Sequence, residues 1–339
     1  MFNTPWHYRS VADLNEVVTS NLARIPHDVD LVVGVPRSGL LAATLISLYL
    51  NRPLTDLQGL AERRLLGKGK RLIPGYGADA FDDARRILVV DDCVSQGTEM
   101  MRSKEFVESL GLSEKTTFLT VFSFPEKPHL ADITLEVIPR PMCFQWSFMH
   151  TPELKNYCLD IDGVICRDAT KAEDDDGSNY EHFLKNASPL FVPTEQVGWL
   201  ITSRLEKYRA LTEEWLKRHG VQYSELIMMD LPTKEARERL GIHVQYKADA
   251  YVASGAKLFI ESSPGIAALI AERTQKPVLC MTTNRIIGNP DLESLSIWHG
   301  RITRQIRRFA RAPRRILSLR GMIGKHQRSS PKISGGGES

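Results

Sequence analysis

The chain has 339 residues, 42% hydrophobic and 25% charged, which is ordinary globular composition and enough length for about two domains. Its longest apolar run, Leu40 to Leu50, is interrupted by Thr44 and Ser47 and falls short of the roughly 20 residues of a membrane span, and the start MFNTPWHYRS shows no secretory pattern. The 44 basic and 41 acidic residues nearly cancel, yet residues 301–332 hold eleven Lys or Arg and no acid, so the body is mildly acidic and the tail strongly basic.

In chain order, Asp30-Leu-Val-Val-Gly-Val-Pro36 reads as a strand, followed by a small-residue turn, Arg37-Ser38-Gly39, and an apolar helix through Leu50. A basic stretch with two glycines, Arg63 to Arg71, comes next. A second strand, Arg86-Ile-Leu-Val-Val-Asp91-Asp92, ends on two acids and enters a polar turn, Ser95-Gln96-Gly97-Thr98, that opens a helix stopped by Gly111. Backbone N–H groups at such a helix start can cradle a phosphate, and adjacent carboxylates can take ribose hydroxyls or a Mg²⁺. Prolines at Phe124-Pro-Glu-Lys-Pro-His129 and Pro139-Arg-Pro141 punctuate the chain and place a domain boundary near 140–156. Further strands begin at Tyr157-Cys-Leu-Asp160, Val197-Gly-Trp-Leu-Ile201 and Lys257-Leu-Phe-Ile260, each leading into polar residues and a helical stretch. This alternation predicts parallel α/β sheets, which bind ligands at the carboxyl ends of their strands.

The first half has the layout that a ribose 5-phosphate fits. Arg86 to Thr98 resembles the phosphoribosyl pyrophosphate (PRPP) motif of type I phosphoribosyltransferases. Gly34-Val-Pro36-Arg37-Ser38-Gly39 resembles that family's pyrophosphate loop, and Arg63 to Arg71 lies where the family has a mobile loop. The resemblance covers roughly residues 10–140. It implies that Asp91 and Asp92 contact ribose, that Ser95, Gln96, Gly97 and Thr98 hold the 5′-phosphate, and that Arg37, Ser38 and Gly39 hold pyrophosphate.

In the second half, Asp160-Ile-Asp162-Gly163 sets two carboxylates two residues apart after a strand; if the strand persists to Asp162, both lean to one face. One such carboxylate can attack phosphorus while the other, protonated, donates to the leaving oxygen and later activates water. Asp160 to Ile165 resembles motif I of the haloacid dehalogenase-like phosphohydrolases, and three further segments follow in that superfamily's order. Leu200-Ile-Thr202-Ser-Arg204 resembles motif II, Tyr246-Lys247-Ala-Asp motif III, and Lys257-Leu-Phe-Ile-Glu261-Ser262 motif IV. The resemblance covers roughly 155–285. It implies that Asp160 is the nucleophile, Asp162 the acid then base, and Thr202 and Lys247 the phosphoryl-holding groups. Mg²⁺ would be held by Asp160, the backbone carbonyl of Asp162 and Glu261, completed by waters, although a serine follows Glu261 where two adjacent acids are common. Lys234 competes with Lys247 for the lysine role, and Asp174-Asp-Asp176 reads as a solvated loop.

The expectation is therefore an α/β protein of two domains, each a mainly parallel sheet with flanking helices. Residues 1–150 would be phosphoribosyltransferase-like and 151–298 haloacid dehalogenase-like with a small cap. A basic amphipathic helix and disordered tail would fill 299–339. The expected activity is Mg²⁺-dependent hydrolysis of a phosphomonoester, a nucleotide or sugar phosphate, coupled to binding of PRPP or a ribose 5-phosphate compound. Two alternatives stand beside it: phosphoribosyl transfer as the main activity with an editing or regulatory second domain, and a non-catalytic nucleotide-sensing first domain. Scattered Cys93, Cys143, Cys158, Cys166 and Cys280, without a CxxC, fit a cytoplasmic protein rather than a disulfide framework. The Arg-rich stripe in 301–323 suits contact with an anionic membrane surface or docking on the acidic body; nucleic acid is not an expected partner, and a homodimer stays open.

Overall fold

Short Val, Ile and Leu runs buried on both faces make the strands of two sheets, as parallel sheets covered by helices require. The computed structural model describes residues 6–69 and 80–288, all within one compact unit, Met1–Glu293. The basic segment 299–339 and residues 70–71 of the basic stretch lie outside the described residues.

The first half runs β1 (His7–Arg9), α1 (Val11–Ser20), β2 (Leu31–Gly34), α2 (Ser38–Leu50), β3 (Leu54–Asp56), α3 (Leu57–Glu62), β4 (Ile87–Val94), α4 (Thr98–Ser109), β5 (Thr116–Ser123), β6 (Ile133–Val137) and β7 (Met142–Phe144). Five of these strands form a fully parallel sheet in the order β3-β2-β4-β5-β6. Alternate residues face opposite layers: Val32, Leu88, Val90 and Leu119 pack with Leu14, Val18 and Ile46, whereas Leu31, Val33, Ile87 and Val89 pack with Leu60, Met100 and Val107. The chain passes from β2 outward to β3 and then crosses back to β4, so the order reverses between β2 and β4. A ligand crevice opens at such a switch point, outside the carboxyl ends of the strands.

The second half runs β8 (Tyr157–Leu159), α5 (Ser178–Asn186), β9 (Val197–Leu205), α6 (Arg209–Arg218), β10 (Tyr223–Met229), α7 (Lys234–Leu240), α8 (His243–Ser254), β11 (Leu258–Glu261), α9 (Pro264–Thr274), β12 (Val278–Cys280) and β13 (Arg285–Ile287). The sheet order is β10-β9-β8-β11-β12-β13, parallel except for β13 at its edge. Its reversal falls between β8 and β11.

β1 pairs in parallel with β7 as a separate ribbon. Around that ribbon, Trp6, Tyr8, Phe148 and Met149 enter the same core cluster as Leu159, Leu200 and Ile260 of the second sheet. Among the described residues no helix is long and apolar enough to cross a membrane.

Candidate functional site

Both switch points carry carboxylates. At the first, the turn after β2 is tied to β4 by the Val35 N–H donating to Val90 O at 2.9 Å, and its Pro36–Arg37 peptide bond is cis. α2 then starts hard against β4: a Cβ on Gly39 would lie 2.9 Å from Asp91 Oδ1 and from Val90 O, so only glycine lets the helix approach this closely.

Asp91 and Asp92 are both buried. Their carboxyl groups lie close enough to interact with each other. Asp91 sits under α2 and accepts from the Asp92 N–H at 2.9 Å, while Asp92 Oδ2 accepts from Trp146 Nε1 at 2.7 Å. Burial, reinforced by the charge of Asp92, pushes the Asp91 carboxyl up to about 8.

Beyond β4, Ser95 and Gln96 are exposed and Gly97, at φ 90°, turns the chain into α4. α1 and α3 are capped by Ser10 and Asp56, whereas α2 and α4 begin with no side-chain cap. Arg37 and Thr98 stand exposed at these two open starts. Glu99, a carboxylate beside the second of them, pairs with Arg102 at 2.6 Å. Of the basic stretch, Arg63 pairs with Asp82 and Arg64 with Asp56 and Glu62.

At the second switch point the expected geometry changes. β8 stops at Leu159, and the Asp160 N–H still reaches Ile260 O of β11 at 3.0 Å. Beyond it the chain curls: Ile165 and Cys166 donate to Ile161 O, and Gly163 turns at φ 74°. Strand alternation therefore does not relate Asp160 and Asp162, although the two carboxylates lie near enough to interact.

Asp160 Oδ2 accepts from Lys247 Nζ at 2.6 Å, and the same amine donates to Glu261 Oε2 at 2.8 Å. All three side chains are buried. Burial works against the Lys247 ammonium, but the two carboxylates outweigh it and hold the amine protonated above its ordinary range. Burial likewise raises the Asp160 carboxyl, against the pull of Lys247.

Asp162 meets a different cation. Arg204 donates to it through Nε at 3.0 Å and Nη2 at 2.6 Å. Burial pushes Asp162 up, yet the guanidinium overcomes this and holds the carboxyl below the usual range. In this arrangement Asp162 is an ion-paired carboxylate. Thr202 is buried two residues before Arg204 on β9, its Oγ1 accepting from the Arg204 N–H at 3.2 Å.

Lys234 stands elsewhere and pairs with Asp174 at 2.8 Å. Asp176 accepts from Lys207 and Tyr208, each at 2.9 Å, and from the Lys234 N–H at 3.0 Å. Three donors thus dock Asp176, whereas Asp175 stays exposed.

The carboxylates that the resemblance assigns to Mg²⁺ carry protein donors, and each Asp160 oxygen accepts only one and keeps a second lone pair. Both oxygens of Asp160 and of Glu261 already accept from Lys247 or from backbone N–H groups, and Arg204 takes Asp162. Among the described residues no group of three His, Cys, Asp or Glu could hold a metal ion.

Two site residues escape sequence reasoning. Arg204 lies inside the motif II segment, and its two-residue spacing from Thr202 on a strand was the available signal. Trp146 is 54 positions from Asp92 and leaves no local trace.

No protein-family model matches the chain, and no curated protein matches it. Solved structures similar to part of it include the purine phosphoribosyltransferase of Pyrococcus horikoshii Ot3, at 19% identity over 42% of this chain and 93% of that one, with a TM-score of 0.30. The xanthine-guanine-hypoxanthine phosphoribosyltransferase of Helicobacter pylori aligns at 20% identity over 42% and 93%, with a TM-score of 0.31. The orotate phosphoribosyltransferase of Aeropyrum pernix aligns at 25% identity over 37% and 67%, with a TM-score of 0.23.

Proposed function

We propose that the first switch point binds PRPP and transfers its phosphoribosyl group to an acceptor, releasing pyrophosphate. The observation that carries this reading is the pair of uncapped helix starts, α2 and α4, flanking two buried acids at one sheet edge. Open first-turn N–H groups attract anions. Two such sites with carboxylates between them suit a molecule with a phosphate at each end and a diol in the middle.

On this reading Ser95, Gln96, Gly97 and Thr98 surround the 5′-phosphate, and Arg37, Ser38 and Gly39 take the pyrophosphate. Asp91 and Asp92 accept the ribose hydroxyls. The bond from C1 to the pyrophosphate oxygen breaks with its electron pair leaving on pyrophosphate, and the acceptor forms the new bond to C1. The charge of Glu99 is offset by Arg102, which removes an obstacle to phosphate beside it. The test is pyrophosphate release from PRPP across a panel of nucleobase acceptors. Wild type is expected to release it and the double variant Asp91→Asn, Asp92→Asn to lose it; full release in that variant rejects the reading.

A second reading, for the second switch point, is favoured by Lys247 lying between Asp160 and Glu261. Asp160 would attack a phosphomonoester, Lys247 and Thr202 would hold the phosphoryl oxygens, and water would supply both the proton to the leaving oxygen and the hydroxide that frees phosphate. The two sites would then act in sequence on one phosphoribosylated compound. Phosphate release from nucleotides and sugar phosphates, with and without PRPP, tests it. Release unchanged in Asp160→Asn refutes it.

A further inference from the structure

The carboxylate of Asp92 is held by a side chain from outside its own sheet. Trp146 follows β7 by two residues, and its Nε1 donates to Asp92 Oδ2 at 2.7 Å. An indole N–H can only donate, so it suits an acceptor carboxylate.

The ring has little freedom. It stacks on Phe144 at 4.7 Å between centroids and 15° between planes, with Phe122 stacked at 6.4 Å. The backbone is tied on either side: Gln145 donates to Arg9 O at 3.0 Å, Ser147 donates to Phe144 O at 3.1 Å, and the Val11 N–H reaches Gln145 Oε1 at 2.9 Å. Asp91 is not reached by the indole; its side-chain neighbour is the Asp92 carboxyl itself. Asp91 rests under Gly39 and accepts from the N–H of its neighbour. The two acids are thus distinguished, one set by the helix start and the other by a clamped indole.

We propose that Trp146 is a positioning residue that aims Asp92 at the ribose hydroxyls of a phosphoribosyl ligand. This rests on the reading of the first site as a PRPP site. It separates two kinds of recognition there. The sugar is read through an acid that depends on Trp146, whereas the diphosphate is read by Arg37 and the first turn of α2, which do not.

The test uses the full chain with Trp146→Phe, which keeps the aromatic stack and deletes the N–H. Calorimetric binding is measured for PRPP, ribose 5-phosphate and inorganic pyrophosphate. Loss of one hydrogen bond to a charged group is expected to weaken the two sugar ligands about tenfold and leave pyrophosphate unchanged. Equal weakening of all three marks a merely structural role and overturns the proposal. Unchanged sugar binding overturns it while leaving the PRPP reading in place. A wild-type chain that binds none of the three overturns both. A second measurement needs no variant: among the indole N–H resonances of the five tryptophans, one is expected to move on adding ribose 5-phosphate and to stay put with pyrophosphate. No resonance moving with the sugar phosphate overturns the proposal equally.

Discussion

Asp160 and Asp162 stand two residues apart and meet different cations, Lys247 on α8 and Arg204 on β9. The cost of removing each cation should differ, because burial sets what a stranded carboxylate loses. Lys247→Met leaves Asp160 and Glu261 facing each other in the interior, and urea unfolding is expected to show a loss of about 3–5 kcal/mol. Arg204→Met strands Asp162, whose side chain keeps 25% of its exposure and can hydrate, so the expected loss is smaller, about 1–3 kcal/mol. Asp91 allows a pH prediction. Its folded-state value, about 8, lies above that of the unfolded chain, so its contribution is full in acid and is lost as pH rises towards 8. Asp91→Asn should flatten that decline between pH 4 and 8, read from unfolding free energies across the range. The sequence placed Asp91, Asp160 and Lys247 in their motifs, because each sits at a strand end or a fixed spacing from one. Arg204 on Asp162 and Trp146 on Asp92 span 42 and 54 positions, and no local pattern encodes such a contact.

At the scale of elements, the approach of α2 to β4 is set by one missing methyl group. Gly39→Ala would place a carbon 2.9 Å from both Asp91 Oδ1 and Val90 O, and the helix start must retreat to relieve it. The expected result is a loss of about 1–3 kcal/mol in stability together with weaker pyrophosphate binding, measured by calorimetry. Strand positions were legible from short apolar runs, but strand ends were not. β4 continues past its two acids to Val94 because β5 supplies partners, Cys93 against Phe122 and Val94 against Ser123. β9 likewise reaches Leu205, which pairs with Met229 of β10, and so carries Thr202 and Arg204 on a strand rather than a turn. Both extensions follow a neighbouring strand, and that information lies elsewhere in the chain.

For the whole molecule, the two sheets keep separate core clusters, but side chains from the amino-terminal ribbon and the 140–156 boundary enter the second. Phe148 and Met149 lie in the core of the second sheet, beside Trp6 and Tyr8 from the start of the described chain. A fragment of residues 151–288 is therefore expected to lack five side chains of that core, Cys143 being the fifth, and to be insoluble or molten, as near-ultraviolet circular dichroism would show. The ribbon couples the two sheets, so the full chain should melt in one calorimetric transition; two well-separated peaks would contradict that coupling. The ribbon between β1 and β7 also has a consequence for synthesis on the ribosome. Tyr8 donates to Asn284, 276 positions later, at 3.3 Å, so this contact can form only after the whole of the intervening chain is made. The ribbon itself can pair once Phe144 is available, whereas the Tyr8 contact that ties it to the second sheet's end of the chain is a high-contact-order event.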